Sequence, residues 1–147
     1  MPIKLTSNEI EAANRAEATE ILIRAGFRVY RPEADCYGED LILRKPNGEL
    51  LAVQLKSRWT VDQKYFGHSL WMLFPEEPYN PGRRWFLVLH DELYKWVEQN
   101  HGHAAVWQRD RRWSAACVSE ALGQFLDPIT AIPKGQAKTK ATSAGGK

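Results

Sequence analysis

The chain lacks most of what would mark a secreted, membrane-spanning or nucleic-acid-coating protein. Cysteine occurs twice, at Cys36 and Cys117, too few for a disulfide framework. No apolar run approaches the length of a membrane span, and the N-terminal MPIKLTSNEIE has no apolar core of a secretory signal. These absences lead us to expect a cytoplasmic location, free thiols and no membrane partner. There is no internal repeat, and no strong excess of either charge. Of 20 basic residues, four are lysines in residues 134–147, a stretch without acids, so residues 1–133 hold 16 basic against 18 acidic. Any contact with nucleic acid must therefore come from a local patch, a bound cation or the tail.

What is present is the composition of one globular domain. Apolar residues make up 44% of 147, with six Trp and five each of Tyr and Phe, enough to bury a core. We expect a single domain over residues 1–133. Residues 134–147, rich in Lys, Thr, Ala, Ser and Gly, read as a disordered tail.

Residues 7–25 have the pattern of a first helix, with Ser7 or Asn8 as its cap and Gly26 as its stop. At 100° per residue Ile10, Asn14, Glu17 and Ile21 share a narrow face flanked by Ala13, Ala18 and Ala25. Glu17 thus falls within the apolar stripe, where a carboxylate is costly unless it meets a cation or hydrogen-bond donors. Glu9, Glu11 and Glu20 read as outward. Strands are expected at 27–30, 70–74 and 84–90, the last followed by a helix over 92–100 capped by Asp91. Residues 59–69 read as irregular, 104–108 as a further strand, and 114–126 as a last helix with Ala115, Val118, Leu122, Phe125 and Leu126 in the core. The order suits an α/β or α+β fold, a mixed central sheet flanked by helices.

The stretch Glu39 to Arg58 carries the chemistry. Alternation at Leu41 and Leu43, and again at Val53 and Leu55, marks two strands, joined through Lys45-Pro46-Asn47-Gly48. If Lys45 to Glu49 form the loop, Arg44 pairs with Leu50 and Asp40 lies opposite Gln54. Period-2 geometry puts Gln54 and Lys56 on one strand face. An acid, an amide and an amine then converge. A hard cation such as Mg²⁺ takes oxygen ligands, and the Asp40 carboxylate, the Gln54 amide oxygen and the Leu55 carbonyl supply them. A lysine amine beside them can orient water. The competing account of Asp40, Gln54 and Lys56 is an exposed sheet face with a cross-strand ion pair. For Glu17 it is a carboxylate lying outside the core. Asp35 is a rival ligand one loop away. His101-Gly102-His103 reads as a polar turn rather than a metal pair. Arg58, Lys64, Arg83 and Arg84 are candidate nucleic-acid contacts, and Arg109, Arg111 and Arg112 form a second basic group between Trp107 and Trp113.

Over roughly residues 9–60 the chain resembles the PD-(D/E)XK nuclease superfamily. The shared features are a helix with an inward Glu17, Asp40 at the head of a hairpin strand (Gly38-Glu39-Asp40-Leu41-Ile42), and Gln54-Leu55-Lys56 in the returning strand. Gln54 stands where the usual pattern has Asp or Glu. This Q-x-K form is similar to that of some restriction endonucleases and a group of homing endonucleases. AGFRVYRP and AVQLKSRW resemble Holliday-junction resolvase-like members. The resemblance implies a restriction-endonuclease-like αβββαβ core and Mg²⁺- or Mn²⁺-dependent endonucleolytic cleavage of DNA. It puts Asp40, Gln54 and Leu55 on the metal with help from Glu17, and Lys56 at the attacking water. A homodimer would match the two strands of a duplex. The alternative is an inactive member of the fold that binds DNA or protein.

Overall fold

The computed structural model describes residues 3–34 and 38–133, so Asp35, Cys36 and the tail at 134–147 lie outside the described residues. Helix α1 (Ser7–Arg24) is followed by β1 (Arg28–Tyr30), β2 (Leu41–Arg44), β3 (Leu50–Leu55), β4 (Trp59–Asp62), a single 3-10 turn (Gln63–Tyr65), β5 (Leu70–Pro75) and β6 (Trp85–Leu89). Helices α2 (His90–His101) and α3 (Ala105–Asp110), strand β7 (Arg112–Ala115) and helix α4 (Glu120–Phe125) complete it. Five strands form a mixed sheet in the order β1-β2-β3-β5-β6, in which only β3 and β5 run parallel. This is the mixed sheet flanked by helices that the sequence suggests.

The sheet is buried on both faces. Leu41, Leu43, Leu51, Val53, Leu73 and Trp85 pack with Ala18 and Leu22 of α1 on one side. Leu70, Met72, Phe74 and Phe86 pack on the other with α2, Trp107, Leu122 and a second, two-stranded sheet of β4 and β7. The apolar run of β5 follows from its place inside the sheet, since a strand covered on both faces has no wet positions. The hairpin has the expected register: Arg44 pairs with Leu50 and Leu41 with Val53. Gly48 takes φ +94° in the turn, where a Cβ would be strained.

Several expectations are corrected. The cap of α1 is Thr6, in a reciprocal capping box with Glu9. Asp91 lies inside α2, whose N-cap is Leu89. Residues 59–62 are strand β4, paired with β7 through Trp59↔Ala115 and Val61↔Trp113. Residues 105–110, which overlap the 104–108 stretch read as a strand, are helical, and the last helix shrinks to Glu120–Phe125. Leu122 and Leu126 are buried, but Phe125 is largely exposed. Of the six Trp, four are buried and Trp71 and Trp113 are half-buried.

One ion pair holds α1 to the far end of the sheet. Arg83, 6% exposed, donates from Nε and Nη2 to the two Glu17 carboxylate oxygens at 3.0 and 2.8 Å. It also donates to Asn14 Oδ1 and to the Glu77 carbonyl, both at 2.8 Å. Trp85 Nε1 donates to Glu17 at 2.8 Å. Glu17 thus meets the cation and donors that its place in the stripe demands, and they come from the protein. Burial alone would raise its pKa, but the bonds from Arg83 and Trp85 and the Arg83 charge outweigh that and lower it. A carboxyl with a depressed folded pKa contributes stability above its unfolded pKa of about 4.3 and loses it as pH falls through the folded value. Glu17→Gln should therefore lower the unfolding free energy at neutral pH by about 3 kcal/mol, leaving Arg83 buried without a counter-charge. It should also flatten the fall in stability between roughly pH 5 and pH 3, as urea titrations at several pH values would measure.

Candidate active site

The hairpin ends where Asp40 meets the last residues of β3. Strand β2 begins at Leu41, one residue later, so beyond its end the edge of β3 lacks ladder partners. Asp40 takes over that role: its backbone N–H donates to the Val53 carbonyl at 2.7 Å. Its Oδ2 accepts the Leu55 N–H at 2.8 Å and Gln54 Nε2 at 3.1 Å. In an extended strand a residue's N–H and C=O point the same way, so the Leu55 carbonyl faces the Asp40 side too. With the Gln54 amide so oriented, its Oε1 is buried and makes no hydrogen bond. Such an oxygen is costly to leave unpaired.

These groups open onto a cleft of about 480 Å³ between the end of β3 and the first half of α1, lined by Asp40, Gln54, Leu55, Lys56, Glu11 and Asn14 among others. Asp40, Gln54, Leu55 and Lys56 are brought together as their spacing suggests. Glu17 is not in this cleft. Its carboxylate is engaged by Arg83 and Trp85, and the acid that α1 offers to the cleft is Glu11, almost two turns nearer its N-terminus. Sequence reading left Glu11 on the wet side. The 7, 11, 14 spacing of Ser7, Glu11 and Asn14 is a helical polar stripe that could have pointed to them. Among the described residues no three His, Cys, Asp or Glu side chains converge as a metal cluster. A cation here would instead rest on one carboxylate with amide and carbonyl oxygens, a donor set suited to Mg²⁺. The orphaned Gln54 Oε1 fits that requirement.

Tyr65 lies against Lys56. Lys56 Nζ lies 5.6 Å and Lys64 Nζ 5.1 Å from the centre of its ring, within cation–π range. Gly38, at φ +92°, makes room: a Cβ there would stand 3.1 Å from Gln54 Oε1 and 3.5 Å from the Tyr65 ring.

The four candidate nucleic-acid contacts divide. Arg58 and Lys64 are exposed, the first next to Ser57 of the cleft lining and the second with its Nζ 5.1 Å from the Tyr65 ring centre. Arg83 is buried in its ion pair, and Arg84 is paired with Glu76 at 2.9 Å, which lowers the Glu76 pKa and raises that of Arg84. In the second basic group Arg109 and Arg111 pair with Asp110 and Glu98. His101 ends α2 with its ring stacked 4.3 Å from that of Trp113, which accounts for it as packing.

No protein-family model matches the chain, and no curated protein matches it. Among solved structures a bacterial homing endonuclease, I-Ssp6803I, aligns with 60% of this chain and 69% of its own at 19% identity and a TM-score of 0.45. At that distance the likeness fixes neither an activity nor a ligand. No helix among the described residues is long and apolar enough to cross a membrane.

The cation site makes a testable demand. Gln54→Glu replaces an amide that donates to Asp40 with a second carboxylate. In chelator the variant should be less stable by about 1–3 kcal/mol through like-charge repulsion, and Mg²⁺ should restore much of the difference. Thermal unfolding with EDTA and with Mg²⁺ measures both, and an unchanged deficit in Mg²⁺ would contradict a cation site.

Proposed function

We propose that the chain is a metal-dependent endonuclease that hydrolyses DNA phosphodiester bonds, with its centre at Asp40, Gln54, Leu55 and Lys56. The observation that carries this reading is the buried, unpartnered Oε1 of Gln54, a residue whose amide nitrogen bonds Asp40 and which lines an open cleft together with Asp40, Leu55 and Lys56. Asp40, the Gln54 amide oxygen and the Leu55 carbonyl would hold Mg²⁺ or Mn²⁺, and Glu11 would add negative charge from the helix. When bound, the ion supplies Lewis-acid stabilisation of the charge that develops on phosphate oxygens. Lys56 orients the water that attacks phosphorus and offsets negative charge on the five-coordinate phosphoryl group. The water gives up a proton to solvent, the P–O bond to the leaving oxygen breaks, and that oxygen takes a proton from solvent. Glu17 acts at a remove, by fixing the helix that carries Glu11 and Asn14.

The cleft is open, which suits a polymer lying across it rather than an engulfed metabolite. Arg58 and Lys64 are the cations that would take flanking phosphates, since Arg83 is committed inside the protein. Two copies related by a two-fold axis would match the two strands of a duplex.

The direct test is nicking of supercoiled plasmid with Mg²⁺ or Mn²⁺, run beside calorimetry of metal uptake. Lys56→Ala should reduce cleavage by about 100-fold or more while leaving thermal unfolding unchanged, and Asp40→Ala should abolish metal uptake. Wild-type protein that neither binds the ions nor nicks DNA would sink the enzyme reading and leave a binding module of the same fold.

A further inference from the structure

Lys56 is the side chain whose position matters most to the proposed chemistry, and a four-carbon stem does not hold an ammonium in place by itself. What lies against it is Tyr65, at the end of the 3-10 turn that follows β4. This turn is well anchored. The Asp62 side chain accepts the Lys64 N–H at 3.0 Å, and the Asp62 N–H donates to His90 Nε2 at 3.1 Å. His90 is fully buried at the start of α2, and its Nδ1 faces Asp91 Oδ1 at 3.0 Å. An Nε2 that accepts a backbone N–H places the ring proton on Nδ1, donating to Asp91. Asp91 reaches back to accept the Gly67 N–H at 3.0 and 3.3 Å. The Tyr65 ring stands edge to face on His90, with centroids 5.6 Å apart at 82°.

We propose that Tyr65 is a positioning residue: held by the His90 node, its ring keeps the Lys56 ammonium at the cleft and holds Lys64 beside it. Lys56 and Lys64 thus both rest within cation–π range of one ring. The ring face does this work, so the hydroxyl is dispensable. Gly38 belongs to the same device, because a side chain there would crowd both the Tyr65 ring and Gln54 Oε1.

This inference rests on the nuclease reading for its catalytic consequence but not for its geometry, and the two are tested apart. In full-length protein with ¹³C-labelled lysine, the ε-methylene signals of Lys56 and Lys64, assigned by Lys56→Arg and Lys64→Arg, should be shifted upfield by the ring. They should stay shifted in Tyr65→Phe and return to the exposed-lysine position in Tyr65→Leu. A Lys56 signal that is the same in wild type and Tyr65→Leu would overturn the proposal whether or not the protein cuts DNA. In the nicking assay at saturating plasmid, Tyr65→Phe should retain the wild-type rate and Tyr65→Leu should lose about fivefold or more in kcat with little change in KM. Equal losses in both variants would also overturn it. Wild-type protein that shows the shifted signals but no cleavage would refute the nuclease reading alone.

Discussion

The guanidinium of Arg83 holds the molecule's two halves in register. It sits between β5 and β6 yet binds Asn14 and Glu17 of the first helix, as well as the Glu77 carbonyl of its own loop. Asn14 and Glu17 are one helical turn apart, so a single planar fork fixes both the height and the roll of α1 over the sheet. That roll decides which residues of the helix's first two turns face the end of β3, and those are Ser7, Glu11 and Asn14. A buried ion pair is a poor source of net stability compared with an apolar contact of the same volume, and its better-attested use is to specify one arrangement. Here that arrangement is the cleft.

The cleft itself follows from a strand that outlasts its neighbour. Strand β3 continues past the start of β2, so the polar groups of its last residues need partners that the ladder does not supply. Asp40 satisfies the Leu55 N–H and the Gln54 amide hydrogens together. The same bonds commit the amide nitrogen of Gln54 to Asp40, while its amide oxygen stays unsatisfied. A carboxylate at position 54 would have repelled Asp40, whereas an amide lets the pair be pre-assembled with one oxygen to spare.

A second node lies across the sheet. His90 receives a backbone N–H from the end of β4 and faces Asp91, whose carboxylate also accepts the Gly67 N–H. Burial lowers the His90 pKa more than the neighbouring Asp91 and Asp62 raise it, which favours the neutral ring that this accepting role requires. The chain between β4 and β5, on which Lys64 and Tyr65 stand, is thereby tied to α2. Helix α1, held by Arg83, thus lines one side of the cleft, while α2 through His90 anchors the segment that brings Tyr65 against Lys56.

The local chemistry of the hairpin was readable because it is local: alternation, an Asn-Gly turn and a five-residue loop fix the register from Arg44↔Leu50 to Leu41↔Val53, and just beyond it the Asp40 and Gln54 side chains meet. The cost of an acid in the apolar stripe of α1 was equally readable, since it depends only on helical periodicity. What met that acid was not, because Arg83 lies 66 residues away and no local pattern ranks it above Arg84 or Arg58. The same limit explains β4 and β7, which pair across 50 or more residues, only with each other among the described strands, and so carry little strand signal singly. It explains Glu11 and Tyr65 as well. Each is ordinary in its own element and gains its place from a neighbour that the fold brings near. The sequence by itself determined the hairpin, its three polar residues and the need for a partner at Glu17. Only the tertiary structure decided who that partner is, which acid of the helix reaches the cleft and what holds the lysine, because contacts between distant segments depend on the packing of whole elements.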